Sequence, residues 1–461
     1  MTSHMRAVPS RSLFRHAKSV AAAVAVAGVA FTVACSPSEI LEVNDADIIS
    51  PSEVNSPAGA RAVRVGALAR LAGATSGGES LFLLGGLFTD EWNNGDTFID
   101  RQQVDQRIIQ ANNTFLTTAY RAVHRARVSG EQAAALLQEF IPAGPSSDVA
   151  EMYFVQAYTE NLMAEHFCSG LVFSPPAGSS EQYGTQITTQ AAFERALAHA
   201  DTGLALITAS TASDVRIRAA LQVTRGRILL NLDRPAEAAA SVVGVPTAAE
   251  YLILHSQTTS ENVGWILNNS ARRYSLSNNE GTNGLSFATA DDPRVPACLG
   301  GDAECQAAGV TSARRDDDSQ PLYVQLLWAT RESPVAITDG IEARLIEAEA
   351  QLASDAPLAF TTLNNLRATV GLTPLVPAST DAGRVDQLFD ERGFWLFGRG
   401  HRTGDFRRLI RQYGLSAESV FPTGDWHKGG FYGGDVTMPI PQAEENNPNV
   451  PVGQTCIDRS A

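Results

Sequence analysis

The sequence predicts a mainly α-helical fold built from packed helix pairs, and three features of the 461-residue chain carry that expectation. Apolar residues recur at helical spacing in several segments. Pro and Gly fall where those segments stop, and one long stretch rich in Asn, Ser, Gly and Asp interrupts them. With 44% hydrophobic and 18% charged residues the chain has apolar surface enough for a core, which excludes a disordered protein.

Met152, Val155, Tyr158 and Leu162 share one face of a helix over 148–165, and 190–207 reads as its partner. Between them, 166–189 is a loop in which Pro175-Pro176-Ala177-Gly178 breaks regular structure. Ile217, Leu221, Thr224, Ile228 and Leu232 form the next stripe, after which Asp233-Arg234-Pro235 starts a short Ala-rich helix. A third pair runs over 342–352 and, past a turn at Ser354-Asp355-Ala356-Pro357, along Phe360, Leu363, Leu366 and Val370 to a stop at Gly371 and Pro374. Further on, Val385, Leu388, Phe389, Arg392 and Trp395 share a helix face that ends before Gly400. Antiparallel pairs with small residues at their contacts are the units of tetratricopeptide-like arrays, an α-α superhelix. The distances between pairs are irregular, which excludes a tandem consensus array, and a generic helical domain fits the same stripes equally well. The stretch 251–338 has few such stripes and is too long for a structureless linker inside a compact domain, so it reads as an ordered, loop-rich and ligand-facing region.

The first 34 residues have the order of an export signal. Arg6, Arg11, Arg15 and Lys18 precede an uncharged stretch over 19–34. Small residues then lead to Cys35, as in a bacterial lipobox, where the cysteine is lipidated; Thr32 stands where Leu is commoner. An ordinary signal peptide is the alternative, and the stretch is short for a membrane helix. Cys168, Cys298, Cys305 and Cys456 are an even set suited to an oxidising compartment. Cys298 and Cys305 enclose a polar, Gly-containing loop and are expected to form a disulfide, whereas Cys168 and Cys456 leave open a bridge or two free thiols. No metal site is read here, because no His or second Cys pair lies near at ligand spacing.

The chain is acidic, with 35 Lys+Arg against 50 Asp+Glu, and has no basic stripe, so nucleic acid is excluded as a partner. No G-x-S-x-G elbow, H-E-x-x-H, phosphate loop or dinucleotide fingerprint occurs. No catalytic residue and no cofactor is therefore assigned. Asp90-Glu91, Asp291-Asp292 and Asp316-Asp317-Asp318 are adjacent carboxylates, which read as solvated loops rather than as a convergent acid/base pair. A binding site fits better. Sugars present C–H faces and hydroxyl rims, so their sites combine exposed aromatic rings with amides and carboxylates. Trp92 with Asn93, Asn94 and Asp96 is one such candidate, and Trp265 with Asn268, Asn269 and Tyr274 is the other; the alternative for each Trp is a plug over the core. Trp328 and Trp395 read as core, and Trp426, among Gly and His, is left open.

Four segments, in order, resemble the SusD/RagB family of nutrient-binding outer-membrane lipoproteins. They are Leu41-Glu42-Val43-Asn44 with Ile49-Ser50-Pro51-Ser52 and a helix holding Val65-Gly66-Ala67; Asp292-Pro293-Arg294 ahead of 342–352 and Leu363-Asn364-Asn365-Leu366-Arg367; the run from Glu391 to Arg408; and Met438-Pro439-Ile440-Pro441 with Glu444, Asn447 and Pro448. The resemblance implies a signal segment 1–34 and a single domain 35–461, in which helical parts 35–250 and 339–461 flank the insertion 251–338, on a scaffold of four tetratricopeptide-like pairs. It implies lipid anchoring at Cys35, capture of an oligosaccharide or another nutrient, and delivery to a SusC-like TonB-dependent outer-membrane transporter. In such proteins the loop after the first helices contributes to the ligand site, which points to Trp92. Where the family usually has acidic residues this chain has Trp395 and Arg399, so a reduced ion network around Glu391, Arg392, Arg402 and Asp405 is expected, serving architecture rather than chemistry. The competing reading is a helical-repeat scaffold or lid that binds the transporter or another protein without a small ligand of its own.

Overall fold

Helix boundaries follow local chemistry from the first element. α1 (Pro57–Thr75) starts where Ser56 Oγ accepts the Gly59 N–H at 3.0 Å and Pro57 takes the first position. α2 (Leu81–Phe88) is apolar on every side and wholly buried, and it leads to β1 (Trp92–Asn94) and α3 (Ile99–Asp105). α4 (Thr114–Phe140) and α5 (Ser146–His166) follow, then the strands β2 (Leu171–Val172) and β3 (Gln186–Ile187) and helix α6 (Thr189–Leu206). α7 (Ala212–Asn231) opens with a reciprocal capping box between Thr211 and Asp214, and α8 (Pro235–Val242) with Pro235. These are the computed structural model's helices within residues 54–176 and 182–461, which it describes. The expected signal segment 1–34, Cys35, the 41–44 and 49–52 segments and part of the Pro-Pro-Ala-Gly break lie outside the described residues.

β4 (Glu250–Ile253) enters the loop-rich region, which holds the short helix α9 (Val263–Trp265) with a π turn at Ile266–Ser270, β5 (Tyr274–Leu276), β6 (Ala297–Leu299), α10 (Ala303–Ala307), β7 (Tyr323–Gln325) and β8 (Val335–Asp339). The strands pair antiparallel as β1–β5, β2–β3, β4–β8 and β6–β7, each a two-stranded sheet. α11 (Gly340–Leu352), capped by Asp339, and α12 (Ala356–Thr369), capped by Asp355, form the expected pair, followed by α13 (Asp381–Trp395), α14 (Arg402–Arg411) and α15 (Ala417–Val420).

Four pairs make the scaffold: α1 with α4, α5 with α6, α7 with α8, and α11 with α12. They stack into a superhelix through α4 on α5, α5 on α7, and α8 on α11. The stripes singled out from the sequence omit α4, the longest of the described helices. Its seam is alanine, with Ala119, Ala126 and Ala133 buried at seven-residue spacing, and it meets the equally spaced Ala60, Ala67 and Ala74 of α1. Alanines allow close helix approach but give little hydrophobic contrast.

α5 is the central helix, and its polar side chains are buried as well as its apolar stripe. Each buried acid therefore has a cation from a neighbour: Glu151 meets Arg64 and Arg216, Glu160 meets Arg195 and His199, and Glu165 meets Arg227. Cys168, just beyond α5, is disulfide-bonded to Cys456, tying the middle of the chain to its last segment, and a second bridge joins Cys298 to Cys305 beside a small satellite core of Val310, Leu322 and Val324. Residues 55–461 form one compact unit, and among the described residues no helix is long and apolar enough to cross a membrane.

Candidate functional site

The loops between α2 and α3 and around β5 are held by buried ion pairs. Arg402 of α14 grips Asp90 with two parallel hydrogen bonds, Nε to Oδ1 at 2.7 Å and Nη2 to Oδ2 at 2.8 Å. Arg392 grips Asp405 in the same bidentate way, and Arg408 adds a third bond to Asp405 at 2.7 Å. Glu391 takes Arg294 at 2.6 Å and also Arg367, while Arg399 pairs with Asp339 at 2.7 Å. The expected reduced network is thus an extended one: Arg399 finds its carboxylate on β8, and Trp395 lies against Arg294, whose guanidinium carbon is 5.3 Å from the ring centroid.

Glu91, next to Asp90, is almost fully buried and accepts the Gly398 N–H at 2.9 Å. Burial pushes its carboxyl up to about 8 from an ordinary 4.5, against the opposing pull of that hydrogen bond. The folded chain therefore keeps a proton that the unfolded chain releases. Glu91's contribution to stability is complete below pH 4.5 and is lost as pH rises towards 8. Urea unfolding of Glu91→Gln, which keeps the oxygen for Gly398, is expected to show a flatter dependence of stability on pH between about 5 and 8 than the parent chain. Equal slopes in the two proteins would contradict a proton held at Glu91.

Both predicted aromatic clusters belong to one buried unit, because β1 zips onto β5 with Trp92 opposite Leu276 and Asn94 opposite Tyr274. The expectation that Trp92 offers an exposed ring is corrected: it is 0% exposed and packs against Phe397 at 5.0 Å and Tyr274 at 6.4 Å. Tyr274 is equally buried and donates its hydroxyl to Glu79 at 2.8 Å. Asn268 serves the backbone, donating to Tyr274 O and Tyr323 O and accepting the Gln325 N–H, and the buried Asn269 donates to Gln325 O. Asn94 accepts the Asp96 N–H, and Asp96 pairs with Arg101. Trp265 is half-buried, with Arg331 over its ring at 5.4 Å. Polar loops that cross a helical core must satisfy their own hydrogen bonds, and these amides and carboxylates do so within the protein.

Asn93 reaches from this unit into a polar well, where its Nδ2 donates to Glu280 Oε2 at 2.8 Å. The well lies at the C-terminal end of α3, under the Gly-rich segment 424–434. That segment turns on itself through an Asp425–Phe431 bridge and is clipped to α3 by Gln106, which donates to Phe431 O at 2.9 Å and accepts the Gly433 N–H at 2.7 Å. Asp105 Oδ2 receives the Asn94 N–H at 3.2 Å and the Trp426 indole N–H at 3.0 Å, and lies 2.7 Å from His427 Nε2. Arg315 donates to His427 Nδ1 at 3.1 Å, so Nδ1 accepts, Nε2 carries the proton, and His427 donates to Asp105. Tyr432 donates its hydroxyl to Glu280, and burial, reinforced by that carboxylate, raises the Tyr432 pKa.

Asp105, Glu280 and His427 present ligand atoms all within 4.8 Å of one another, a spacing that suits a metal ion. Both His427 nitrogens and every carboxylate oxygen of the cluster except Asp105 Oδ1 already have hydrogen-bond partners, and Arg315 supplies positive charge. These donors and acceptors are committed to the protein.

Exposed rings stand at the two ends of α3. Phe431 is 71% exposed on the Gly-rich segment and Phe98 is 48% exposed at the start of α3, where Phe115 supports its ring edge-on at 5.9 Å and Arg101 and Arg273 flank it. Lys428 reaches from the same segment to Asp96 O and Asp317. Exposed rings beside hydroxyl, amide and charged groups match the C–H faces and hydroxyls of a sugar. The residue-by-residue reading missed Phe98, His427, Phe431 and Tyr432; the signal for them was the unusual run Gly-Asp-Trp-His-Lys-Gly-Gly-Phe-Tyr-Gly-Gly over 424–434.

No protein-family model matches the sequence, and no curated protein matches it. Solved structures do. A SusD superfamily protein from Parabacteroides distasonis superposes with a TM-score of 0.62 at 14% identity, covering 88% of this chain and 100% of that one. A SusD-like carbohydrate binding protein from Bacteroides fragilis gives 0.62 at 16% identity, covering 86% and 99%. A SusD superfamily protein from Bacteroides vulgatus gives 0.58 at 14%, covering 87% and 98%. The fold of this chain is that of the SusD/RagB family.

Proposed function

We propose that this SusD-like chain is a cell-surface binding protein, lipid-anchored at Cys35 in the outer membrane, that captures an oligosaccharide or similar nutrient and passes it to a TonB-dependent, SusC-like transporter. The observation that carries the reading is the pair of exposed rings at the two ends of α3, Phe98 at its start and Phe431 beside the well of committed polar groups at its end. The Bacteroides fragilis relative described as carbohydrate binding supports a glycan as the ligand. An anchor at the membrane would raise the binder's effective concentration over a transporter. A non-catalytic role agrees with the fate of the adjacent carboxylates, since Asp90 is gripped by Arg402 and Glu91 is buried beneath Gly398.

Calorimetric titration of the chain from residue 36 onward with a panel of oligosaccharides tests this. Phe431→Ala is expected to weaken the glycan that binds by about tenfold, the loss of a stacked ring being worth on the order of 1.5 kcal/mol, with unchanged thermal unfolding. Glycan binding that is indifferent to both Phe431→Ala and Phe98→Ala would move the site elsewhere. A second reading, a scaffold that binds the transporter or another protein without its own ligand, is favoured by one feature: an apolar cleft of about 410 Å³ beside α7 and β4, with Val215 46% exposed at its wall.

A further inference from the structure

β4 is one edge of a two-stranded sheet, and its outer side is open. Ala249 O accepts the Gly340 N–H at 2.8 Å, which sets the alternation of the ladder: Tyr251 and Ile253 turn their backbone groups towards β8, and Glu250 and Leu252 turn theirs away from it. The register shift between Tyr251 and Leu252 places the extra residue, Ile337, on β8, so β4 itself runs unbroken. Among the described residues nothing bonds to the outward N–H and C=O of Glu250 and Leu252. The run Glu250-Tyr251-Leu252-Ile253-Leu254 has neither Pro nor Lys, the residues that commonly blunt such an edge.

A groove of about 590 Å³ lies beside that edge. Residues 251–254 all line it, whereas one face of a strand would supply only every second residue, so the groove follows the strand's side. The opposite bank is α1, through Val65, Leu68 and Ala72. Val65 is 62% and Leu254 74% exposed, so apolar side chains flank the open backbone on both banks.

The groove is preformed. The Val263 N–H donates to Ser76 O at 2.9 Å and Ser76 Oγ lies 3.0 Å from His255 Nε2, which ties the end of α1 to the chain that follows β4. Tyr251 donates its hydroxyl to Glu151 at 2.9 Å, and the Arg216 guanidinium carbon lies 5.0 Å from its ring centroid. Arg216 and Tyr251 also line the apolar cleft beside α7, so the two hollows meet at these side chains. Glu250, at that cleft, is exposed and has no ion-pair partner among the described residues.

A row of unpaired N–H and C=O groups between apolar banks is matched by another extended backbone, which repeats the same groups at the same spacing. We infer that this groove receives an extended segment of a partner protein, which adds to β4 as an outer third strand. The segment's backbone bonds to Glu250 and Leu252, alternate apolar side chains fill the groove and the adjoining cleft, and a basic residue meets Glu250. None of these residues belongs to the Phe98 and Phe431 rim or to its well.

The test uses the chain from residue 36 onward and a fluorescent, end-capped peptide of alternating valine and threonine with lysine at both ends, so that a lysine reaches Glu250 in either strand direction. Saturable binding by fluorescence anisotropy is expected, with slower hydrogen exchange over 250–254. Two further peptides are N-methylated at alternate positions, one in each phase. One is expected to bind like the parent peptide and the other about tenfold or more weakly, because only one phase faces β4. Leu252→Pro removes the outward N–H and leaves the bonds to β8, and is expected to weaken binding about tenfold. Val65→Glu, on the exposed bank of α1, should weaken it as well. Phe431→Ala should leave it unchanged, so loss of the nutrient rim and loss of this groove are read separately. No saturable binding by the parent chain, equal binding of the two N-methylated peptides, or undiminished binding by folded Leu252→Pro would each overturn the assignment. Circular dichroism checks folding, and the N-methylated pair gives the answer on the parent chain if Leu252→Pro unfolds.

Discussion

Alanine in place of Trp92 is expected to destabilise the fold by about 3 to 5 kcal/mol, the range for deleting a fully buried large aromatic side chain. The ring fills the junction of β1, β5 and the segment after α13, touching Phe397 and Tyr274, so its removal leaves a cavity where three distant parts of the chain meet. Its indole N–H has no partner among the described residues, so the loss is of packing and buried area rather than of a hydrogen bond. Guanidinium denaturation read by circular dichroism gives the number directly. A loss below about 1 kcal/mol would contradict a core position for the ring. The same experiment guards against misreading ligand data: a Trp92 variant that binds no glycan has first to be shown folded, whereas Phe431→Ala changes an exposed ring.

Arg402→Met is expected to cost a comparable amount, about 3 to 5 kcal/mol, because it strands a buried carboxylate. Asp90 is 0% exposed, and beyond Arg402 it keeps one donor, the Leu285 N–H at 2.9 Å. Two charges removed together leave nothing stranded, so Asp90→Asn combined with Arg402→Met should recover most of the loss. The three unfolding curves form a cycle. If the double variant were as unstable as the sum of the single ones, the pair would not be coupled and the bidentate contact would not be what holds the α2–β1 turn to α14.

Such contacts also explain what was legible in the chain. Arg392, Arg402 and Asp405 were recognisable as one ion network because they lie within one short run, but Asp90, which pairs with Arg402, and Asp339, which pairs with Arg399, come from elsewhere. The paired stripes of α5 to α8, α11 and α12 were readable because each faces the core with contrasting residues on a helical period. α4 was not, since its alanine seam carries little contrast although it packs as closely as the rest.

By itself, then, the sequence determined three of the four helix pairs and their stops, the ordered loop-rich region and the residue types of the ion network, all of which depend on neighbours within a turn or two. Tertiary structure alone decided which aromatic rings meet solvent. Trp92 in a polar loop is buried because a strand nearly two hundred residues away covers it, and Phe431 is exposed because its Gly-rich segment is clipped to α3 and projects beyond it. Burial of a side chain depends on what the chain brings against it from a distance, and the local pattern of polar and apolar residues does not record that.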